Sequence, residues 1–370
     1  MREPTDDAGV ELDGRIRRFI GRADANELGF DRLALELFAY QFERNDAYRR
    51  YCMRLEKSPN RVAHWQDIPA IPAAAFGETR LACFPRERTA LTFVSSGTTG
   101  AGARRSRHEL ENSALYDASL LTHLRSCVLP DATSMRLLAL VPAFADAPTS
   151  SLSYMFSKAS EIFGQADDAF YVRDGRLDFE AAAAALAQAK EPLLLAGTAF
   201  SFVHFIDRAR ERGVRFTLPL GSRILETGGF KGKLRAVSRD ELYRALSEVF
   251  GVPRVLCASE YGMCELGSQW YDANLADYFA GRQPRTSLLI GPHWARTLVV
   301  DPIGAQTLPK GESGLLAHYD LSNRGSVLAV LTSDVGRALD GGFELLGRFP
   351  GAPPKGCSIA MDSVLAGEHA

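Results

Sequence analysis

Cysteine is scarce and scattered in this sequence. Six cysteines among 370 residues, at positions 52, 83, 127, 257, 264 and 357, form no Cys-x-x-Cys pair. That excludes a disulfide scaffold and the paired-thiol zinc motifs, and it points to a reducing compartment. Long apolar runs are missing too. The longest, residues 137–145, contains Pro142 and falls far short of the roughly 20 residues that cross a bilayer. The acidic start Met1-Arg2-Glu3-Pro4-Thr5-Asp6-Asp7 has no apolar segment behind it, which argues against a secretory signal and for the cytoplasm. Neither sign of charge dominates. Lys and Arg number 43 against 45 Asp and Glu, a net charge of −2, so nothing attracts the chain generally to nucleic acid or anionic lipid.

Several catalytic signatures are also absent. Neither Gly-x-x-x-x-Gly-Lys-Ser/Thr nor Gly-x-Gly-x-x-Gly occurs, and there is no Gly-x-Ser-x-Gly elbow. P-loop nucleotidase, dinucleotide-binding and nucleophile-elbow hydrolase readings lose their main support. His108-Glu109-Leu110-Glu111-Asn112 lacks the second histidine of a zinc-peptidase helix, and the histidines at 64, 123, 204, 293, 318 and 368 show no ligand spacing. What is present is a globular composition, 46% hydrophobic and 24% charged, enough for one large core or two ordinary ones. No repeat is visible, and the alanine run at 181–185 reads as helix filler.

Along the chain, Leu33, Leu35, Leu37, Phe38, Tyr40, Phe42 and Tyr48 recur at near-helical spacing, so the first 60 residues read as helix. Ile68-Pro69-Ala70-Ile71-Pro72 then breaks it as a linker. Beyond Thr89, β-rich runs at 91–94, 136–141, 192–196, 222–225 and 254–257 alternate with helical stretches at 107–126, 178–190, 199–212 and 238–250. That order predicts an α/β fold with a mostly parallel sheet and covering helices, and with ligands at the carboxyl ends of strands. From Thr286, runs at 287–290, 296–300, 314–319, 327–332 and 343–346 predict a small β subdomain, and the last 20 residues read as tail.

Four segments could carry chemistry. Ser95-Ser96-Gly97-Thr98-Thr99-Gly100 follows an apolar strand and precedes Arg104, Arg105 and Arg107. Its glycines permit close approach of backbone N–H groups to an anion, its hydroxyls add donors, and the arginines compensate charge; a hydroxyl-rich surface turn is the bland reading. Ser259-Glu260-Tyr261-Gly262-Met263-Cys264-Glu265 offers a ring to stack on a base and a hard carboxylate for Mg²⁺. Taken singly, these are equally a half-buried aromatic and a solvated acid. In Thr332-Ser333-Asp334 the carboxylate suits the two hydroxyls of a ribose or simply a turn, and Gly347-Arg348 places a guanidinium at a strand end.

Taken in order, these four motifs resemble the core motifs of the adenylate-forming superfamily of acyl-CoA synthetases, peptide-synthetase adenylation domains and luciferases, over residues 60–357. Local detail is most similar to the acyl-protein synthetase branch, with phenylacetate–CoA ligases as relatives. It lies in Ile68-Pro69-Ala70-Ile71-Pro72-Ala73, in the run from Glu260 through Leu266-Gly267-Ser268-Gln269, and in Gly347-Arg348 followed by Lys355-Gly356-Cys357-Ser358.

The resemblance implies a helical segment over 1–85 packed on an adenylate-forming core at 86–348. The superfamily's C-terminal domain is then shortened to a tail at 349–370, since 22 residues follow Arg348. It also implies site roles. Ser95, Ser96, Gly97, Thr98, Thr99 and Gly100 would hold the β- and γ-phosphates of ATP, and Gly228 and Gly229 would line the adenine. Tyr261-Gly262 would meet the base, Glu265 would bind Mg²⁺, Asp334 the ribose, and Arg348 the nucleotide.

Two departures stand out: Ala103-Arg104-Arg105 replaces the usual Pro-Lys-Gly, and Cys264 replaces a threonine. Lys355 is the one lysine of the tail and the candidate substitute for the missing domain's catalytic lysine. Cys357 beside it is the candidate acyl carrier, a thiolate that would hand the acyl group to a reductase partner. Either residue in isolation is ordinary tail.

The implied activity is ATP-dependent conversion of a fatty or aromatic carboxylic acid to acyl-AMP, followed by transfer to a cysteine. An acyl- or aryl-CoA ligase and a catalytically silent nucleotide-binding partner are the alternatives. The apolar, aromatic stretches at 142–154 and 198–205 suit such a tail, as they suit any core.

Overall fold

The computed structural model describes residues 7–22, 25–95, 105–228, 238–303 and 306–349. The helical periodicity of the first 60 residues resolves into α1 (Asp7–Ile20), α2 (Glu27–Arg44) and α3 (Asp46–Arg54). Two asparagines set the breaks. The side-chain oxygen of Asn26 accepts from Gly29 N–H at the start of α2, and that of Asn45 accepts from Tyr48 N–H at the start of α3, each satisfying a donor that the first helical turn leaves open.

After a short 3-10 turn come β1 (Ile71–Pro72), α4 (Ala75–Glu78) and a hairpin of β2 (Leu91–Val94) with β3 (Arg107–Leu110). An α/β run follows: α5 (Ala114–Val128), β4 (Arg136–Leu140), α6 (Ser151–Phe163), β5 (Ala169–Phe170), β6 (Val172–Arg173), β7 (Arg176–Leu177), α7 (Phe179–Ala187), β8 (Leu193–Thr198), α8 (Ala199–Glu211), β9 (Arg223–Thr227), α9 (Arg239–Phe250) and β10 (Cys257–Tyr261). The chain continues through β11 (Trp270–Asp272), α10 (Asn274–Phe279), β12 (Leu289–Ile290), β13 (Ala295–Val300), β14 (Ser313–Asp320), β15 (Ala329–Leu339) and β16 (Gly342–Arg348).

One long sheet takes the order β13-β14-β15-β16-β12-β11-β10-β9-β8-β4-β5, with β1 beside β15. From β5 to β10 the pairing is parallel, as helical crossovers require. From β10 to β13 it is antiparallel. The small β subdomain of the sequence reading is thus the antiparallel end of the same sheet, joined to the parallel half through β11 and β12. Two apolar cores result. One fills the parallel half around Leu138, Leu195, Phe202 and Leu225. The other lies between the N-terminal helices and the antiparallel half, around Phe30, Phe38, Trp294 and Leu328.

Three local expectations shift. The helix expected over 107–126 begins only at Ala114, because Arg107–Leu110 instead pairs with β2. The strand expected at 254–257 starts at Cys257, after a 3-10 turn that Pro253 introduces. Glu260 and Tyr261 therefore lie inside β10 rather than beyond it. The strand expected to end at Thr332 runs on to Leu339 with a bulge at Val335/Gly336, which puts Asp334 in mid-strand. The linker at 68–72 also lends Ile71–Pro72 to the sheet, parallel to Val330 and Leu331.

Among the described residues, no helix is long and apolar enough to cross a membrane. The N-terminal helices are fastened by buried polar contacts. The Arg324 guanidinium, 5% exposed, pairs with Asp13 of α1 and with Glu111 and donates to the Tyr40 hydroxyl. Gln41 donates to Asn323 O and accepts from Leu328 N–H. Replacing Arg324 by methionine leaves the largely buried Asp13 without this cation and Glu111 with Arg88 alone, so urea denaturation is expected to show a loss of roughly 3 kcal/mol; an unchanged midpoint would rule out this anchoring role.

Candidate active site

The carboxyl ends of β9 and β10, the loop between β10 and β11, and the middle of β15 converge on one cleft. Ser95, Gly228, Tyr261, Gly262, Glu265, Asp334 and Arg348 all line it, although they are spread over more than 250 positions of sequence. Ser96, Gly97, Thr98, Thr99, Gly100, Gly229, Lys355 and Cys357 lie outside the described residues.

Each residue is placed by a local device. Ser95 directly follows β2, and its hydroxyl accepts from Ser106 N–H at 2.8 Å while its carbonyl accepts from Arg105 Nε at 2.8 Å. Gly228 follows β9 with φ +84°, a conformation open to glycine and costly for other residues. At Gly262 a Cβ would stand 2.4 Å from Glu260 Oε1, so any larger residue there would displace that carboxyl. The loop it opens is held by a buried carboxylate. Asp320 accepts from Gly267 N–H at 3.0 Å, from the Ser268 hydroxyl at 2.8 Å, and from the Ser322 N–H and hydroxyl at 2.9 and 2.6 Å. Asn323 donates to the Glu265 carbonyl at 3.0 Å.

That grip presents the side chain of Glu265, a buried residue whose Oε1 has no hydrogen-bond partner. A solitary, unsatisfied carboxylate oxygen at a cleft wall is the hard donor that Mg²⁺ takes when substrate phosphates and water complete its shell, so the residue present fits the ion. No larger cluster of metal-ligating side chains occurs among the described residues.

Opposite, Tyr261 is buried and its hydroxyl donates to Asp334 Oδ2 at 3.0 Å. Arg348 Nε makes an ion pair with Asp334 Oδ1 at 3.2 Å across the β15–β16 ladder. Burial, and then the neighbouring Asp334 carboxylate, push the Tyr261 phenol well above its ordinary range, so it stays a donor.

The structure adds residues to which the sequence reading gave no role. Glu260 lines the cleft and is hydrogen-bonded by the Thr227 hydroxyl from the adjacent strand. Burial raises its carboxyl to about 7, helped by the charge of Glu226 and opposed by Thr227. On the neighbouring strand, burial also raises Glu226 to about 7 against the pull of Arg239. Gln269 presents a buried, unpartnered Oε1 to the same cleft. His318 of β14 contacts the Tyr261 hydroxyl at 3.2 Å. An acid directly before an aromatic in an apolar strand was the one available signal for Glu260. His318 sits in a run with no motif.

Comparison with known proteins gives consistent results. A family model described as acyl-protein synthetase, LuxE, matches residues 19–366. The long-chain-fatty-acid–luciferin-component ligase of Vibrio harveyi is 24% identical over 360 residues, covering 91% of this chain and 88% of that ligase. The ligase of the same name from Aliivibrio fischeri is 23% identical over 358 residues, 90% of this chain and 88% of its own. Among solved structures, 2-hydroxyisobutyryl-CoA ligase with 2-HIB-AMP and CoA, in an open conformation, superposes with a TM-score of 0.61 at 13% identity, over 94% of this chain and 76% of that one. ATP-bound MatB from Rhodopseudomonas palustris does so with 0.51 at 15% identity, over 70% and 48%. At these identities the two structures establish the shared fold.

The raised carboxyl of Glu260 has a measurable consequence. A group held near 7 when folded and near 4.5 when unfolded costs the fold nothing below about pH 4; the cost grows as pH rises from about 4.5 to 7, where only the unfolded chain ionises, and levels off above 7. Glu260→Gln keeps the hydrogen bond to Thr227 and removes the ionisation. It should stabilise the protein by roughly 2 to 3 kcal/mol at pH 8.5 and by under about 1 kcal/mol at pH 5, read as denaturant midpoints.

Proposed function

The chain belongs to the acyl-protein synthetase family, LuxE, and is an ATP-dependent acid ligase; on that footing we propose that it activates a long-chain fatty acid as acyl-AMP and carries the acyl group as a thioester on Cys357. The observation that carries the site assignment is the meeting of Ser95, Gly228, Tyr261, Glu265, Asp334 and Arg348 on one cleft. The substrate class follows the names of the ligases from Vibrio harveyi and Aliivibrio fischeri.

In the first half-reaction a carboxylate oxygen of the acid attacks the α-phosphorus of ATP and pyrophosphate leaves. Both reactants are anions, so the protein's work is to hold them in line and to compensate charge. Tyr261 and Gly228 flank the base and Asp334 accepts from the ribose hydroxyls. Arg348 faces the phosphate side, and the loop that begins at Ser95 takes the β- and γ-phosphates. Glu265 would hold Mg²⁺, which supplies charge neutralisation at the phosphates.

In the second half-reaction a thiolate attacks the acyl carbon and AMP leaves with the bonding electron pair. The buried thiols suit this poorly. Cys52, Cys83, Cys127, Cys257 and Cys264 are all buried, and burial raises Cys52, Cys127 and Cys257 to about 12. Cys357 is the remaining one. The chain leaves the described fold at the cleft itself, since Phe349 N–H donates to Ser333 O at 2.9 Å beside Asp334 and Arg348. Cys357 lies eight positions beyond Phe349, a contour of at most about 28 Å. Lys355, two residues away, would lower the thiol's pKa. A reductase in the cytoplasm is the proposed acceptor of the thioester.

The test is acid-dependent ATP–pyrophosphate exchange across a panel of fatty and aryl acids, followed by intact mass of the protein after incubation with ATP and the best acid. Exchange should be fastest with long fatty acids, and an acyl adduct should form that hydroxylamine removes. Cys357→Ser should abolish the adduct and leave exchange intact, whereas Glu265→Gln should slow exchange about 100-fold. Exchange without an adduct would instead make the chain a ligase for a diffusible thiol. No exchange with any acid would sink the enzyme reading.

A further inference from the structure

Behind the Tyr261–Asp334 pair lies a chain of polar side chains in which every proton has a forced direction. His318 of β14 is fully buried, walled by the rings of Trp270, Phe343 and Tyr261 at centroid distances of 4.4, 5.8 and 5.5 Å. Its Nε2 lies 3.2 Å from the Tyr261 hydroxyl and its Nδ1 lies 3.0 Å from the Thr297 hydroxyl of β13. Burial holds the imidazole far below its ordinary pKa, near 3, so it carries one N–H and one lone pair.

The far end of the chain fixes which nitrogen has the proton. Asp334 is ion-paired to Arg348 and, as a carboxylate, can only accept. Tyr261 has a single proton and gives it to Asp334 Oδ2 at 3.0 Å. The tyrosine oxygen can then only receive, so His318 must donate from Nε2. Its Nδ1 is left as an acceptor for the Thr297 hydroxyl. The order Thr297, His318, Tyr261, Asp334 is thus a one-way relay of donors that ends on a cleft carboxylate.

We propose that His318 is a positioning residue for nucleotide binding: through Tyr261 it holds Asp334 turned as an acceptor for the ribose hydroxyls. The proposal rests on the assignment of Asp334 to the ribose. His318 itself does not line the cleft, so it acts only through the tyrosine. Without its N–H, the Tyr261 oxygen keeps only the Thr332 side chain facing it, and the phenol is held less firmly against Asp334.

The experiment measures KM for ATP, KM for the acid and kcat, with ATP and with 2′-deoxy-ATP, in the full-length wild type, Asp334→Asn, His318→Phe, His318→Gln and Thr297→Val. Phenylalanine keeps the ring volume and removes the N–H, whereas glutamine restores a side-chain N–H donor. His318→Phe is expected to raise KM for ATP about tenfold and to cut the preference for ATP over 2′-deoxy-ATP, with kcat and KM for the acid within about twofold of wild type. His318→Gln should recover most of the loss. Thr297→Val should move KM for ATP in the same direction by a smaller factor.

Two failures read differently. If wild type does not distinguish ATP from 2′-deoxy-ATP and Asp334→Asn leaves KM for ATP unchanged, the ribose assignment falls. If both of those effects are present but His318→Phe leaves KM for ATP unchanged, or raises both KM values alike, or glutamine fails to rescue it, the relay is overturned. Circular dichroism and a urea midpoint on each variant separate misfolding from these outcomes.

Discussion

The site depends on one buried carboxylate more than on any other group. Asp320 is wholly inaccessible, and its oxygens accept four hydrogen bonds from the loop after β10 and from the turn after β14. Burial raises its pKa, and those donors pull it back down. A charged group in such a place is tolerated only because its acceptor capacity is filled. The approach is close enough that a Cβ at Gly267 would come within 2.3 Å of the Ser322 hydroxyl. The hold extends sideways, since Ser268 also meets the hydroxyl of Ser119 on α5 at 2.9 Å, and Trp294 donates to Ser119 at 2.8 Å. Glu265 inherits its position from this network rather than from contacts of its own carboxylate.

The same loop sits at a seam. Cys264 packs into the core of the parallel half, and Leu266, two residues on, packs into the core shared by the antiparallel half and the N-terminal helices. The strands change from parallel to antiparallel pairing at β10, and there the backbone leaves the ladder and a cleft can open without exposing either core. Helices far from the chemistry bear on it through this arrangement. Gln41 of α2 and Arg324 tie α1 and α2 to the turn that carries Asp320, Ser322 and Asn323.

Much of this was legible in the sequence. The alternation of β-rich and helical runs gave the α/β order because parallel strands buried on both faces read as unbroken apolar runs. The motif residues were found because loop chemistry is local: glycines, hydroxyls and acids clustered within a few positions. His318 and the pairing of Glu260 with Thr227 escaped because each gains its meaning from a neighbour across the sheet, in a register that no local window contains. The helix expected at 107–126 failed for a related reason. Arg107-His108-Glu109-Leu110 is plausible in either state by composition, and the partner strand β2 decided it by burying His108, whose Nδ1 bonds the Cys264 carbonyl at 2.8 Å. The extension of β15 past Thr332 was hidden in the same way, since Ser333, Asp334 and Gly336 look like a turn until β14 and β16 flank them.

The bond from Phe349 N–H to the Ser333 carbonyl has a consequence for reaction order. A nucleophile tethered a few residues beyond that point meets an activated acyl group at an effective concentration on the order of millimolar, set by the length of the tether. Loading of such a nucleophile is unimolecular. Its rate is the same in a dilute extract as in a crowded cell, whereas any free thiol in solution must compete by its own concentration. On the proposed carrier role of Cys357, the anchoring of Phe349 beside Ser333 would bias the choice of acceptor without a contact that recognises one.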